Sequence, residues 1–156
     1  MPQFVFKLDG VLRHRERIEQ ERQRDLAVAQ AELAKIQNAL SGIDDEVRTT
    51  AADVRDNHLV GRLNMGYLAA HRRYMLGMQI KSLGLVEKLN AQQRVVDLAR
   101  VALAEASKQK KILEKLRERH HARWAADVAR AEAGAMDELS TQMSYRTFHE
   151  LSKGAG

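Results

Sequence analysis

The six histidines, His14, His58, His71, His120, His121 and His149, are the side chains best suited to binding a metal or moving a proton near neutral pH. No two of them are four residues apart, the spacing that sets two imidazoles on one helix face, and the adjacent His120 and His121 diverge there by about 100°. No metal site follows from them. Carboxylate pairs such as Asp44 with Asp45, or Asp137 with Glu138, lie in polar helical surroundings with no pocket to desolvate one partner. The sequence contains no GxxxxGK[ST] phosphate loop, no GxGxxG turn and no HExxH motif, and the sheet framework that the first two need is not encoded. We therefore assign no catalytic residue, expect no cofactor, and read the chain as a non-enzyme.

One stretch does suggest binding chemistry. Residues 108–123 carry Lys108, Lys110, Lys111, Lys115, Arg117, Arg119 and Arg123 against Glu114 and Glu118, and this stretch holds most of the chain's positive excess. Clustered cations of this kind suit an acidic protein surface, a nucleic acid or an anionic membrane, or simply form the solvated face of a helix.

The elements that must position these residues are helices. Leu26, Ala29, Leu33, Ile36, Leu40, Ile43 and Val47 recur at alternating spacings of three and four, which is a coiled-coil seam. The same spacing runs from Leu68 through His71, Met75, Met78, Ser82, Leu85, Leu89, Gln92, Val96, Ala99, Leu103, Ala106 and Lys110 to Leu113. Such a narrow stripe is hidden from water only by another helix, and each half of the chain carries one. Charged residues are 30% and aromatic residues 4% of the 156, too polar a composition for a thick globular core. The one proline, Pro2, precedes any helix it could break.

Between the stripes, Asn57, Gly61, Asn64 and Gly66 supply what a helix needs to stop and restart. The fold class is therefore all-α: a long antiparallel two-helix coiled-coil hairpin in one domain over residues 1–156, with helix one at about 8–57, the tip at about 57–64 and helix two at about 64–150. Asn64 is the expected N-cap of helix two. A tip near Gly61 sets Leu33 near Leu89, Leu26 near Val96 and Leu12 near Lys110. Helix two then overhangs the chain's start by about 30 residues, roughly 45 Å at 1.5 Å per residue. Arg15, Glu19, Arg22, Lys110 and Arg117 fall at seam positions, either as long side chains reaching out to water or as a surface sheathed by a partner. After Leu113 the frame drifts, and Gly134 is the expected point of fraying or bending, with a loose tail after about Glu150.

Helix two has a second apolar face. Leu76, Ile80 and Leu83 lie about 140° to 200° from Met78, bordered by Arg72 and Arg73, with Tyr67 and Tyr74 one heptad apart beside the seam. This make-up fits a protein contact surface, or packing against a second copy or a folded-back tail. The corresponding outer positions of helix one, Asn38, Ser41, Asp45 and Arg48, are polar.

Cysteine is absent, which fits a reducing compartment. No apolar run reaches the 18 to 20 or so residues of a membrane span, and Met1 to Leu12 lacks the apolar core and cleavage site of a signal peptide. A cytoplasmic location without membrane insertion is expected.

The opening Phe4-x-Phe6-x-Leu8-x-x-Val11-Leu12-x-x-Arg15 and the acidic, arginine-rich stretch to Leu26 resemble the start of the flagellar export protein family FliJ. Arg100-x-x-Leu103, Ala106, Lys111-x-Leu113-Glu114-Lys115-Leu116-x-Glu118-Arg119, Glu132 and Asp137-Glu138 resemble that family's second helix. The resemblance spans most of the chain and rests on the order of several common helical patterns; the tail from Gly134 departs from it in being richer in alanine and glycine. It implies a cytoplasmic component of the bacterial flagellar type III export apparatus, peripheral to the inner membrane at the flagellar base. Members are antiparallel two-helix coiled coils similar to the stalk of rotary ATPases. The implied partners are the flagellar export ATPase, whose ring assembly and activity the family promotes, the cytoplasmic domain of the export-gate membrane protein, and export chaperones. On this reading Arg13, Arg15, Arg17, Lys110, Lys111, Lys115 and Arg119 meet the ATPase ring, while Tyr67, Arg72, Arg73, Tyr74, Leu76, Ile80 and Leu83 meet the gate. Two other classes stay open: a basic helical nucleic-acid binder, which no DNA-reading motif supports, and a homodimeric structural coiled coil.

Overall fold

The computed structural model describes the backbone of residues 3–153 and the side chains of residues 3–148. Helix α1 spans Asp9–Asp53, a π-helical turn covers Val54–His58, and helix α2 spans Met65–Lys153. The fold is all-α, with the two long helices packed against each other and no strand among the described residues. At its end α1 widens into the π-turn, burying Val54, before the chain leaves the helix.

Local chemistry sets these ends. Asp9 stands in the first turn of α1, where a carboxylate favours the positive end of the helix dipole, and the Arg13 Nε donates back to its Oδ2 at 2.9 Å. At the tip, Gly61 takes a φ of 85°, a backbone that a side chain rarely tolerates. Asn64 then caps α2: its Oδ1 accepts from the Tyr67 N–H at 3.1 Å, and its carbonyl accepts from Leu68 N–H at 3.1 Å.

The chain divides into two compact units, a tip unit of residues 16–107 and a terminal unit made of residues up to 15 and from 108 onward. In the tip unit every seam position named above from Leu26 to Val47 and from Leu68 to Ala106 is buried or half-buried. Val96 is fully enclosed, and Ala29, Ile43 and Ala106 are buried beside it in sequence pattern. The register is fixed by contacts across the helices. Gln92 Nε2 donates to the Ala29 carbonyl at 3.0 Å, within a residue of the expected pairing. Leu40, Ile43 and Val47 line a shallow groove with Met78, Ser82 and Val86. Glu19, a charged seam position, stays half-buried and accepts from Ser107 Oγ at 2.6 Å, which answers the cost of placing a carboxylate there.

In the terminal unit, residues 3–8 are not helical, and the side chains of residues 4–6 alternate as in an extended segment. Phe6 is buried and Phe4 half-buried, whereas Val5 is 76% exposed. Phe4 packs against His121 and Trp124 with centroids at 5.0 and 5.8 Å, and Phe6 packs edge-on against His120 at 5.8 Å. An extended segment covers about twice the length per residue of a helix, so it reaches further along α2 than a helical start would. The overhang correspondingly begins further along α2 than expected. Among the described side chains, those of residues 129–148 are uniformly exposed, roughly 30 Å of helix at 1.5 Å per residue without an intramolecular cover.

The fraying expected at Gly134 is corrected: α2 runs through it. One glycine costs only about 1 kcal/mol relative to alanine, and alanines on both sides outweigh it. The tail expected to loosen after Glu150 is helical to Lys153, and residues 154–156 lie outside the described residues.

Candidate partner-binding surfaces

On α2 within the terminal unit, Lys108, Lys111, Lys115 and Arg119 recur at spacings of three and four, so they share one face within about 80°. That face points away from Leu113 and Trp124, which are half-buried, and Lys111, Lys115 and Arg119 rise from it beside Lys108. None of the four takes part in an ion pair among the described residues. Lys110 is different. It is half-buried on the seam side with its Nζ 3.8 Å from Glu114. Arg13 is held by Asp9 on α1 and Arg15 is half-buried, while Arg17, in the tip unit, is exposed. The cations grouped from sequence thus separate into an outward basic stripe and a few engaged in the packing.

The tip unit carries the second surface. Leu76, Ile80 and Leu83 are 51%, 71% and 66% exposed on one outward face of α2, with Arg72 and Arg73 exposed beside them. The two tyrosines turn toward the other helix instead. Tyr67 stacks on His58 with centroids 3.8 Å apart, and the Tyr74 hydroxyl donates to the Glu46 carboxylate. That bond to Glu46, with desolvation and the Glu46 charge adding to it, raises the Tyr74 pKa above its ordinary value.

His120 and His121 do diverge, as their adjacency requires, and each meets a different phenylalanine of the N-terminal segment. Sequence periodicity alone does not reveal this clasp, although the alternation of Phe4, Phe6 and Leu8 is the pattern of a half-buried extended segment. The side chain of His149 lies outside the described residues. Among the described residues no group of three His, Asp or Glu is placed to hold a metal, and no helix is long and apolar enough to cross a membrane.

A long seam, a basic stripe and a separate apolar face define an α-helical coiled-coil protein whose chemistry is surface recognition. The family described as the flagellar FliJ protein matches residues 4–147, and the chain belongs to that family. It is a flagellar export component of a structural or adaptor family that has no known enzymatic activity. No curated protein and no solved structure matches the chain.

Proposed function

We propose that the chain is a stalk and adaptor that binds the ring-shaped flagellar export ATPase, promotes its assembly and activity, and contacts the cytoplasmic domain of the export gate and the export chaperones. The observation that carries the ATPase contact is the outward stripe of Lys108, Lys111, Lys115 and Arg119, four cations on one helix face with no internal carboxylate partner among the described residues. Such a face offers complementarity to an acidic ring surface, which sets orientation and encounter rate more than raw affinity. We assign Arg13, Arg15, Arg17 and Lys110 to the ATPase as well. The uncovered length of α2 from Ala129 suits insertion into a ring. The protein acts in the cytoplasm, peripheral to the inner-membrane export apparatus.

Reversing Lys111→Glu and Lys115→Glu together should weaken ATPase binding at least tenfold, with the loss concentrated in the association rate and shrinking at high salt. Both side chains lie on the outward face, so helicity should not change. Unchanged binding would refute the assignment. For the gate, the apolar face of Leu76, Ile80 and Leu83, rimmed by Arg72 and Arg73, supplies the contact, with Tyr67 and Tyr74 bracing the helix behind it. Ile80→Asp should abolish binding to the gate's cytoplasmic domain in a hairpin that still folds; intact binding would remove this face from the interface.

A further inference from the structure

The tip loop itself exposes a cluster of large apolar side chains that the hairpin does not use. Leu59, Val60, Leu63 and Met65 are 52%, 74%, 52% and 70% exposed within seven consecutive residues. In a two-helix hairpin a turn of this length needs only polar or small residues, so four solvated aliphatic side chains are a cost without a folding return. Gly61, with its positive φ, folds the loop so that apolar residues flank the turn on both sides.

The charge around the loop is one-sided. From Asn57 to Val86 the sequence contains no aspartate or glutamate, whereas Arg62, Arg72, Arg73 and Lys81 lie in that stretch and none of them is in an ion pair among the described residues. Carboxylates around this stretch are already engaged: Asp56 with Arg55 at 3.1 Å, Asp53 with Asn57 Nδ2 at 2.7 Å and His58 at 3.7 Å, and Glu46 with the Tyr74 hydroxyl. Met65 lies on the same side of α2 as Leu76 and Leu83, so the loop's apolar cluster continues into an outward stripe edged by arginine. Aliphatic side chains that insert into an acyl boundary, with cations at headgroup depth that no acid pairs among the described residues, match an anionic bilayer surface.

We propose that residues Leu59–Met65 form a lipid-contacting tip that inserts into the surface of an anionic bilayer, with Arg62, Arg72 and Arg73 against the headgroups. This surface contact does not rest on the ATPase or gate assignments and involves no membrane span.

The test is co-sedimentation of the full chain with phosphatidylcholine vesicles, with and without about 30% phosphatidylglycerol. Each cation at the surface adds about fivefold to partitioning, so two or three predict roughly 25- to 125-fold tighter binding to the anionic vesicles, reduced by salt. Val60→Asp with Leu63→Asp should lower that binding at least tenfold without loss of helicity, because both side chains are exposed. Ile80→Asp should retain most of it. In a second measurement, Val60→Trp should show a blue-shifted difference spectrum against the wild type on adding anionic vesicles. Three results would overturn the proposal: no vesicle binding; binding that survives in the doubly substituted tip, which would place the lipid contact on the basic 108–123 face; or loss of soluble gate-domain binding in that variant with vesicles ignored, which would make the tip a protein contact.

Discussion

Val96 is the side chain that the packing encloses completely, while Val101, five residues further along the same helix, is 68% exposed. Substituting each by alanine removes the same atoms from opposite environments. At about 0.8 kcal/mol per buried CH₂, the two carbons lost from Val96 are worth roughly 1.6 kcal/mol. A residual cavity adds to this, although a two-helix interface collapses part of it, and alanine returns about 0.5 kcal/mol through better helix propensity. Val96→Ala should therefore cost about 1–2 kcal/mol, a roughly 5- to 30-fold loss in the folded-to-unfolded ratio. Val101→Ala should be neutral or stabilising by a few tenths of a kcal/mol, since only the propensity remains. Urea unfolding followed by far-ultraviolet circular dichroism, at two protein concentrations to exclude self-association, measures both. Equal effects in the two variants would show that the seam through Val96 is not what holds the helices, and would refute the packing described above.

Asn64→Ala removes the acceptor for Tyr67 N–H and should cost about 1 kcal/mol, seen as faster amide exchange from Met65 to Leu68. Phe4→Ala with Phe6→Ala should free the N-terminal segment and shift the emission of Trp124, the single tryptophan, to the red; helix content should change little, and an unmoved spectrum would rule the clasp out. Tyr74 has a folded pKa raised above 10.0, so its contribution to stability is complete below that pH and is lost as pH rises through the folded value. Tyr74→Phe should accordingly flatten the alkaline limb of a stability profile relative to wild type, and identical limbs would show that the bond to Glu46 has no weight in folding.

The seam is legible in the sequence because its information is local: a period of three and four can be counted along one helix, and it names the covered positions from Leu26 to Val47 and from Leu68 to Ala106. The cap at Asn64 is legible for the same reason. The clasp is not, because Phe4 and Phe6 meet residues far along the chain, and nothing in the sequence says which ring finds which. Extended geometry at residues 4–6 also alters the reach of the segment, and with it the point where the overhang begins. Gly134 misleads because a single unfavourable residue is outweighed by the helix formers around it. For the surfaces, helix periodicity correctly places Leu76, Ile80 and Leu83 on an outward face, but Tyr67 and Tyr74 sit at the seam's edge, where partners on the other helix decide their direction. The tip loop's apolar residues follow no period and stand out only through their exposure.

The most direct measurement of the proposed role is the turnover of the flagellar export ATPase from the same genome, followed as its ring assembles with the purified chain present. Binding with stimulated turnover, lost on combining Lys111→Glu and Lys115→Glu, is the predicted result. An ATPase that neither binds the intact, folded chain nor changes its rate would contradict the stalk assignment.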